Sequence, residues 1–190
     1  MKTALLASYE KDEPLMRLAS ILSRNRWRLL GSAGTAKFLN EHGIPCRDVS
    51  QVVGPPILGH RVVTLARKVY ASLLAVTDAD FHELDRLGVR PISLVYVTLY
   101  PLEETIQKGG SPEEVLEKTD IGGPTLLRAA AKGRRFALSD PAQIALFETW
   151  LVNGSQEKER VPLTMKLAAA AERRVADYVR ISAEYWETHQ

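Results

Sequence analysis

Five short apolar runs, each followed by a segment of helical period or by turn residues, constrain this chain more than any other feature. The runs are Thr3–Ser8, Trp27–Leu30, Ile44–Val49, Ile92–Thr98 and Arg135–Leu138. They are too short for helices, and a run apolar at consecutive positions suits a strand buried on both faces. Between them, Leu15, Leu18 and Leu22 keep a helical period over residues 13–25, and residues 35–42 and 80–87 read as helices stopped by Gly43 and Gly88. Ser111 as cap, Pro112 at the first helical position and Glu114 completing a capping box start another helix that runs to about Lys118. Asp140 and Pro141 cap one that ends near Leu151, before Gly154. From Pro162 to about Tyr185 a stripe at Leu167, Ala171, Val175, Tyr178, Ser182 and Tyr185 predicts a long closing helix, assigned to residues 160–188. Strands alternating with helices predict an α/β fold, a three-layer sandwich around a mostly parallel sheet, with residues 1–190 as a single domain.

Charge narrows the function classes. The chain carries 25 basic and 23 acidic side chains, a net charge of +2. That balance argues for no nucleic acid and no membrane surface as partner, and leaves anionic small molecules open. Cys46 is the single cysteine, so no internal disulfide is expected, and its setting in an apolar run suits a small buried side chain. His42, His60, His82 and His189 have no ligand-like spacing, which predicts no metal site. The apolar run at residues 2–7 is too short for a signal sequence and no stretch is long enough to span a bilayer; a cytoplasmic protein without a cofactor is the expectation.

Two stretches could hold an anion. Gly31-Ser32-Ala33-Gly34-Thr35 joins a strand to a helix, where hydroxyls and backbone N–H groups converge. Its glycine spacing is not that of the dinucleotide fingerprint. Asp120-Ile-Gly-Gly-Pro-Thr-Leu-Leu-Arg-Ala-Ala-Ala-Lys-Gly133 begins with an acid and two glycines and then becomes a helix. Gly122 and Gly123 would form a tight turn there, with Asp120 at its mouth, and Arg128 and Lys132 share one helical face. The same residues also suit a loop, a cap and an Ala-rich buried helix with solvated basic ends. Arg61, Arg67 and Lys68 flank a turn-rich segment, either as a phosphate contact or as a solvated basic edge. Tyr100 follows the strongest parallel-strand candidate, where open α/β sheets place ligands.

These residues carry a resemblance. Ser8-Tyr9-Glu10-Lys11, Ser32 to Lys37, Leu58 to Leu65, Leu99-Tyr100-Pro101, Asp120 to Lys132, and the tail from Leu167 to Trp186 resemble the inosine monophosphate cyclohydrolase domain. That domain is the amino-terminal half of the bifunctional purine biosynthesis protein and a member of the methylglyoxal-synthase-like domain family; the transformylase half has no counterpart here. The resemblance implies closure of the ring of 5-formamidoimidazole-4-carboxamide ribonucleotide, or a close analogue, with loss of water. It implies a phosphorylated purine-pathway ribonucleotide as ligand and a homodimer. By the same resemblance Lys11, Ser32, Gly34, Thr35, Arg61 and Thr64 match phosphate- and ribose-side positions, joined by Gly122 and Gly123. Tyr100, Asp120 and Lys132 match the catalytic group. Lys132 would donate to the oxyanion, Asp120 would orient or deprotonate the attacking amide, and Tyr100 would assist proton movement.

The departures fall in one loop. His60-Arg61-Val62-Val63-Thr64-Leu65-Ala66 has Val63 where the resembled family has a lysine and Ala66 where it has a histidine. Thr98 replaces an asparagine, and Ala33-Gly34 replaces paired glycines. Losing an oxyanion donor is commonly worth about 3 kcal/mol; Arg67 and Lys68 are the neighbouring cations that could stand in. Three functions follow: a ring-closing enzyme, a purine-ribonucleotide-binding or regulatory domain with impaired catalysis, and methylglyoxal synthase itself, against which the detailed similarity to the cyclohydrolase argues.

Overall fold

The computed structural model describes residues 1–189. Strands β1 (Thr3–Ser8), β2 (Arg28–Gly31), β3 (Arg47–Asp48), β4 (Leu94–Thr98) and β5 (Phe136–Leu138) form one sheet in the order β3-β2-β1-β4-β5. Every pairing is parallel. The helices are α1 (Glu13–Arg24), α2 (Ala33–Glu41), α3 (Ser50–Val53), α4 (Arg67–Leu74), α5 (Asp78–Arg86), α6 (Leu102–Gln107), α7 (Pro112–Glu117), α8 (Gly122–Lys132), α9 (Ile144–Val152) and α10 (Glu157–Thr188). None is long and apolar enough to cross a membrane among the described residues.

Alternation along the strands explains the layers. Ala4 and Leu6 of β1, Leu94 and Tyr96 of β4, and Phe136 and Leu138 of β5 face one core with α1, α2 and α9. Leu5, Val95, Val97 and Ala137 face the other, with α4, α8 and most of α10. Successive side chains point to opposite faces of a strand, and here both faces are covered, so the runs read as continuously apolar. That is the three-layer sandwich the sequence predicts.

The differences are local. Helix α10 begins at Glu157, three residues before the expected closing helix, and carries Pro162 inside it. Helices α3 and α6 lie in segments whose apolar period is too short to be recognised. Helix α2 starts at Ala33 rather than Thr35, and α8 starts at Gly122. Gly122 and Gly123 are therefore the first helical residues, not a turn ahead of the helix. Close approach, rather than positive φ, requires glycine there: a Cβ on Gly123 would lie 2.4 Å from Asp120 Oδ2 and 2.7 Å from Leu99 Cδ2, and one on Gly122 would lie 3.1 Å from Thr64 Oγ1.

The chain first runs from β1 outward to β3, then returns to lay β4 on the other side of β1. Loops leaving β1 and β4 consequently diverge, and a crevice opens at their carboxyl ends. A second close approach sets how α8 lies on α4: Cβ on Gly133 would lie 1.8 Å from Leu73 O. A backbone oxygen cannot swing away, so Gly133→Ala should destabilise the fold by about 3 kcal/mol, the upper end of overpacking costs. Chemical denaturation of the purified variant checks it.

Candidate active site

A cleft of about 690 Å3 occupies that crevice, and two helix N-termini wall it. On one side β2 ends at Gly31, and the Ser32 hydroxyl at the cap of α2 accepts from no backbone N–H of the helix, so N–H groups in its first turn remain free. Thr35, fully buried, ties the turn to β1: its Oγ1 accepts from Ser8 N–H and donates to Ser8 O, both at 3.2 Å, and accepts from Ser32 Oγ at 3.0 Å. Lys11 folds over the same turn. Its Nζ donates to Ser8 O at 2.5 Å and Tyr9 O at 3.0 Å, and lies 3.9 Å from where a Gly34 Cβ would be. Burial pushes the Lys11 ammonium below its ordinary value, with Asp12 opposing. A cation beside the positive end of a helix is unfavourable alone, and a bound anion relieves both.

The facing wall is built around Asp120. Its Oδ1 accepts from Gly123 N–H at 2.9 Å, which makes it the functional cap of α8. Burial raises its pKa, while N–H groups of Gly123, Tyr100 and Gly122 pull it back. The Asp120 backbone is held from α10: its N–H donates to Tyr178 Oη at 2.8 Å, and that hydroxyl donates to Lys118 O at 2.7 Å. Burial pushes the Tyr178 phenol up to about 12, so it stays a donor at neutral pH.

Between the walls, Tyr100 is half-buried against Tyr9, their ring centroids 5.2 Å apart. Burial, then the charges of Asp120 and Glu117, raise its pKa above 10.0. Lys118 Nζ lies 5.2 Å from the Tyr9 ring centroid and 5.8 Å from that of Tyr100. Thr98 joins the two diverging loops: its Oγ1 shares a 2.8 Å hydrogen bond with Ser8 Oγ and accepts from Tyr9 N–H at 2.8 Å and Glu10 N–H at 3.3 Å.

Residues 54–66 supply the remaining side. Ile57 and Val62 pair as an antiparallel bridge, and His60 Nε2 lies 2.7 Å from Glu117 Oε1 on α7. Arg61, Val63 and Thr64 line the cleft. Val63 also packs against the core, as does Ala66, where α4 begins.

The cleft thus gathers Lys11, Ser32, Gly34, Arg61, Thr64, Tyr100, Asp120, Gly122 and Gly123, with Thr35 directly behind them. Lys132 is not among them. It lies exposed at the far end of α8, ten residues from Gly122 and so roughly 15 Å along the helix axis. The expectation that Lys132 donates to an oxyanion therefore fails for the cleft of its own chain. Arg128 donates to Glu172 at 3.1 Å and joins α8 to α10. Arg67 and Lys68 do not line the cleft. Cys46 is buried, and burial, then Asp48, pushes its thiol up to about 12. Sequence reasoning did not assign Tyr9, Thr98 or Tyr178 to the site. Tyr178 carried a signal in its stripe, since a buried tyrosine hydroxyl needs a partner.

Comparison with known proteins follows the same lines. Residues 14–125 match the MGS-like domain family. The bifunctional purine biosynthesis protein PurH of Persephonella marina is 36% identical over 180 residues, covering 91% of this chain and 34% of that protein. PurH of Aquifex aeolicus is 40% identical over 143 residues, covering 73% of this chain and 28% of that protein. The chain thus spans about a third of the length of these relatives. The crystal structure of ForH superposes with a TM-score of 0.82 at 31% identity, covering 97% of this chain and 98% of that one. With the strand order and the cleft at its switch point, these matches place the chain in the MGS-like domain family, as a domain of the PurH type.

Proposed function

We propose that the chain closes the ring of a formamidoimidazole carboxamide ribonucleotide, or a close analogue, with loss of water to give inosine monophosphate or its analogue. The observation that carries this reading is the opposition of two sites across one cleft. The α2 N-terminus with Lys11 and Ser32 suits a phosphate. Opposite it, the α8 N-terminus offers a carboxylate whose proton affinity is raised, and Tyr100, after β4, offers a hydroxyl that keeps its proton.

Ring closure asks for that pair. The carboxamide nitrogen forms a bond to the formyl carbon, and its proton passes to the Asp120 carboxylate. The formyl oxygen takes a proton from Tyr100 to become a hydroxyl. The proton held by Asp120 then passes to that hydroxyl as the C–O bond breaks and water leaves, and the formamido N–H returns a proton to the Tyr100 phenolate, restoring both groups. Anchoring the phosphate at α2 holds the formyl group against the amide, so proximity supplies much of the rate. With Lys132 outside the cleft, the hydroxyl of Tyr100 is the donor assigned to the oxyanion. The second reading, a ribonucleotide-binding or regulatory domain with impaired catalysis, draws on Val63, which presents methyl groups to the cleft.

Incubating the purified chain with 5-formamidoimidazole-4-carboxamide ribonucleotide and following purine absorbance separates the two. Saturable closure above the spontaneous rate is expected; tight binding without closure selects the second reading. The rate should climb with pH as Asp120 ionises, above its ordinary 3.8, and fall where Tyr100 loses its proton, above 10.0.

Asp120→Asn should lower the rate by about a hundredfold or more while leaving the thermal midpoint at pH 7.5 unchanged or higher. The sign follows from linkage: a folded-state pKa above the unfolded one favours the protonated native protein. That contribution is present below 3.8 and lost as pH rises through the raised native value. Asparagine removes the buried charge and still caps the helix. Tyr178→Phe should do the reverse, costing about 1–3 kcal/mol in denaturation because the Asp120 N–H loses its partner. Its effect on closure should appear in kcat more than in KM, since the phosphate side is untouched.

A further inference from the structure

A second hollow, of about 130 Å3, lies away from the cleft. It sits beneath α4, near the amino ends of the strands: Thr3 at the start of β1, Arg28 at the start of β2 and Arg90 ahead of β4 all line it. The length of β1 separates it from the cleft, roughly 17 Å at the rise of an extended strand.

Its floor and rim differ in chemistry. Leu30, Val49, Val69 and Ile92, all buried, make the floor. Arg28, Arg47, Lys68 and Arg90 stand on the rim, and among the described residues no carboxylate lines the hollow. Among the described residues none of the four takes part in an ion pair. Two of them are held in place by the short helix α3: Arg47 donates to Gln51 Oε1 and Gln51 O, both at 3.1 Å, and Lys68 to Val52 O at 3.4 Å. Four like charges gathered around one opening repel one another, and in a chain of net charge +2 they form a local excess that only an anion offsets.

We propose that this hollow binds a compact small-molecule polyanion, one that carries at least two phosphate or carboxylate groups. The rim cations take the charged groups, and the rest of the molecule lies on the apolar floor. Size sets a second limit. At about 10–15 Å3 for each water-sized sphere, the hollow holds roughly ten non-hydrogen atoms, too few for a whole nucleotide. The ligand is therefore distinct from that of the cleft, and the site is independent of the ring-closing reading. A molecule seated here touches α3, which runs directly into the segment carrying Arg61, Val63 and Thr64.

The test is residue-resolved titration of the full chain, labelled with nitrogen-15, using inorganic pyrophosphate and, separately, citrate. Amides of Ser72, Gly88 and Val89 report the hollow, and those of Gly34 and Gly123 report the cleft. Saturable shifts at the hollow are expected with at least one probe. They should persist in Lys11→Ala, which weakens the cleft, and become at least tenfold weaker in Arg28→Ala/Arg90→Ala. Among the described residues neither of those two guanidinium groups has a hydrogen-bond partner, so the double variant should keep the wild-type spectrum elsewhere. A response to pyrophosphate alone assigns a phosphate ligand, and one to citrate alone a carboxylate. Shifts confined to the cleft, matched by sodium chloride at equal ionic strength, or unchanged in the double variant would overturn the proposal.

Discussion

Burial of β1 and β4 on both faces is the constraint from which the site follows. Both strands lie inside the sheet, β1 between β2 and β4 and β4 between β1 and β5, and Leu5, Leu6, Val95 and Tyr96 are all completely covered. Helices must therefore lie above and below them. Parallel pairing then sends every connection across a face of the sheet. Since β2 and β3 build outward from one side of β1 and β4 lies on the other, the loops after β1 and β4 must part. The cleft is a consequence of that parting. Thr98 limits it, since one hydroxyl collects Ser8 Oγ and the N–H groups of Tyr9 and Glu10. The loops separate above this node and not below it.

Two helix N-termini then meet the same space, and they are used differently. At α2 the cap position is left open and a lysine is folded over it, so the helix end lacks a counter-charge. At α8 a carboxylate already occupies that position. The first arrangement attracts an anion and the second repels one. A ligand with a phosphate at one end and a neutral, polar ring at the other fits this polarity in one orientation only. Burying Asp120 without a cation disfavours its ionised form, and the fold tolerates this because backbone N–H groups and the Tyr178 tie hold the carboxylate in place. On the proposed reading, stability is given up at this one residue to keep a base beside the reacting amide.

How much of this was legible in the sequence depends on the range of the interaction. The strands were readable from local composition, and so was the capping box of α7, because Ser111 and Glu114 are three residues apart. The two glycines before Pro124 were recognised as special for the wrong reason. A local reading makes them a turn, whereas the demand comes from the Asp120 carboxylate folded back over the helix start and from Leu99 and Thr64, distant in sequence and adjacent in space. Lys132 shows the same limit. Resemblance carried its identity but not its direction, and the rise of a helix puts it beyond the cleft of its own chain. The Tyr178 contact spans 58 residues, and no period within α10 could have named Asp120 as its partner.

Val63 then decides what kind of chemistry the cleft can support. It borders both the cleft and the core, so a cation at that position would lose solvent on its inner side. With a valine there, the loop that includes Arg61 contributes shape and one exposed guanidinium rather than a buried charge. The positive groups are left at the edges, Lys11 on the phosphate side and Lys118 against the tyrosine rings. Around the reacting atoms the cleft offers hydroxyls, backbone N–H groups and one carboxylate. Such a set moves protons better than it neutralises a full charge. On the proposed ring-closing reading, a substrate whose amide is intrinsically more acidic, or whose formyl oxygen leaves more easily, would depend least on the missing cation.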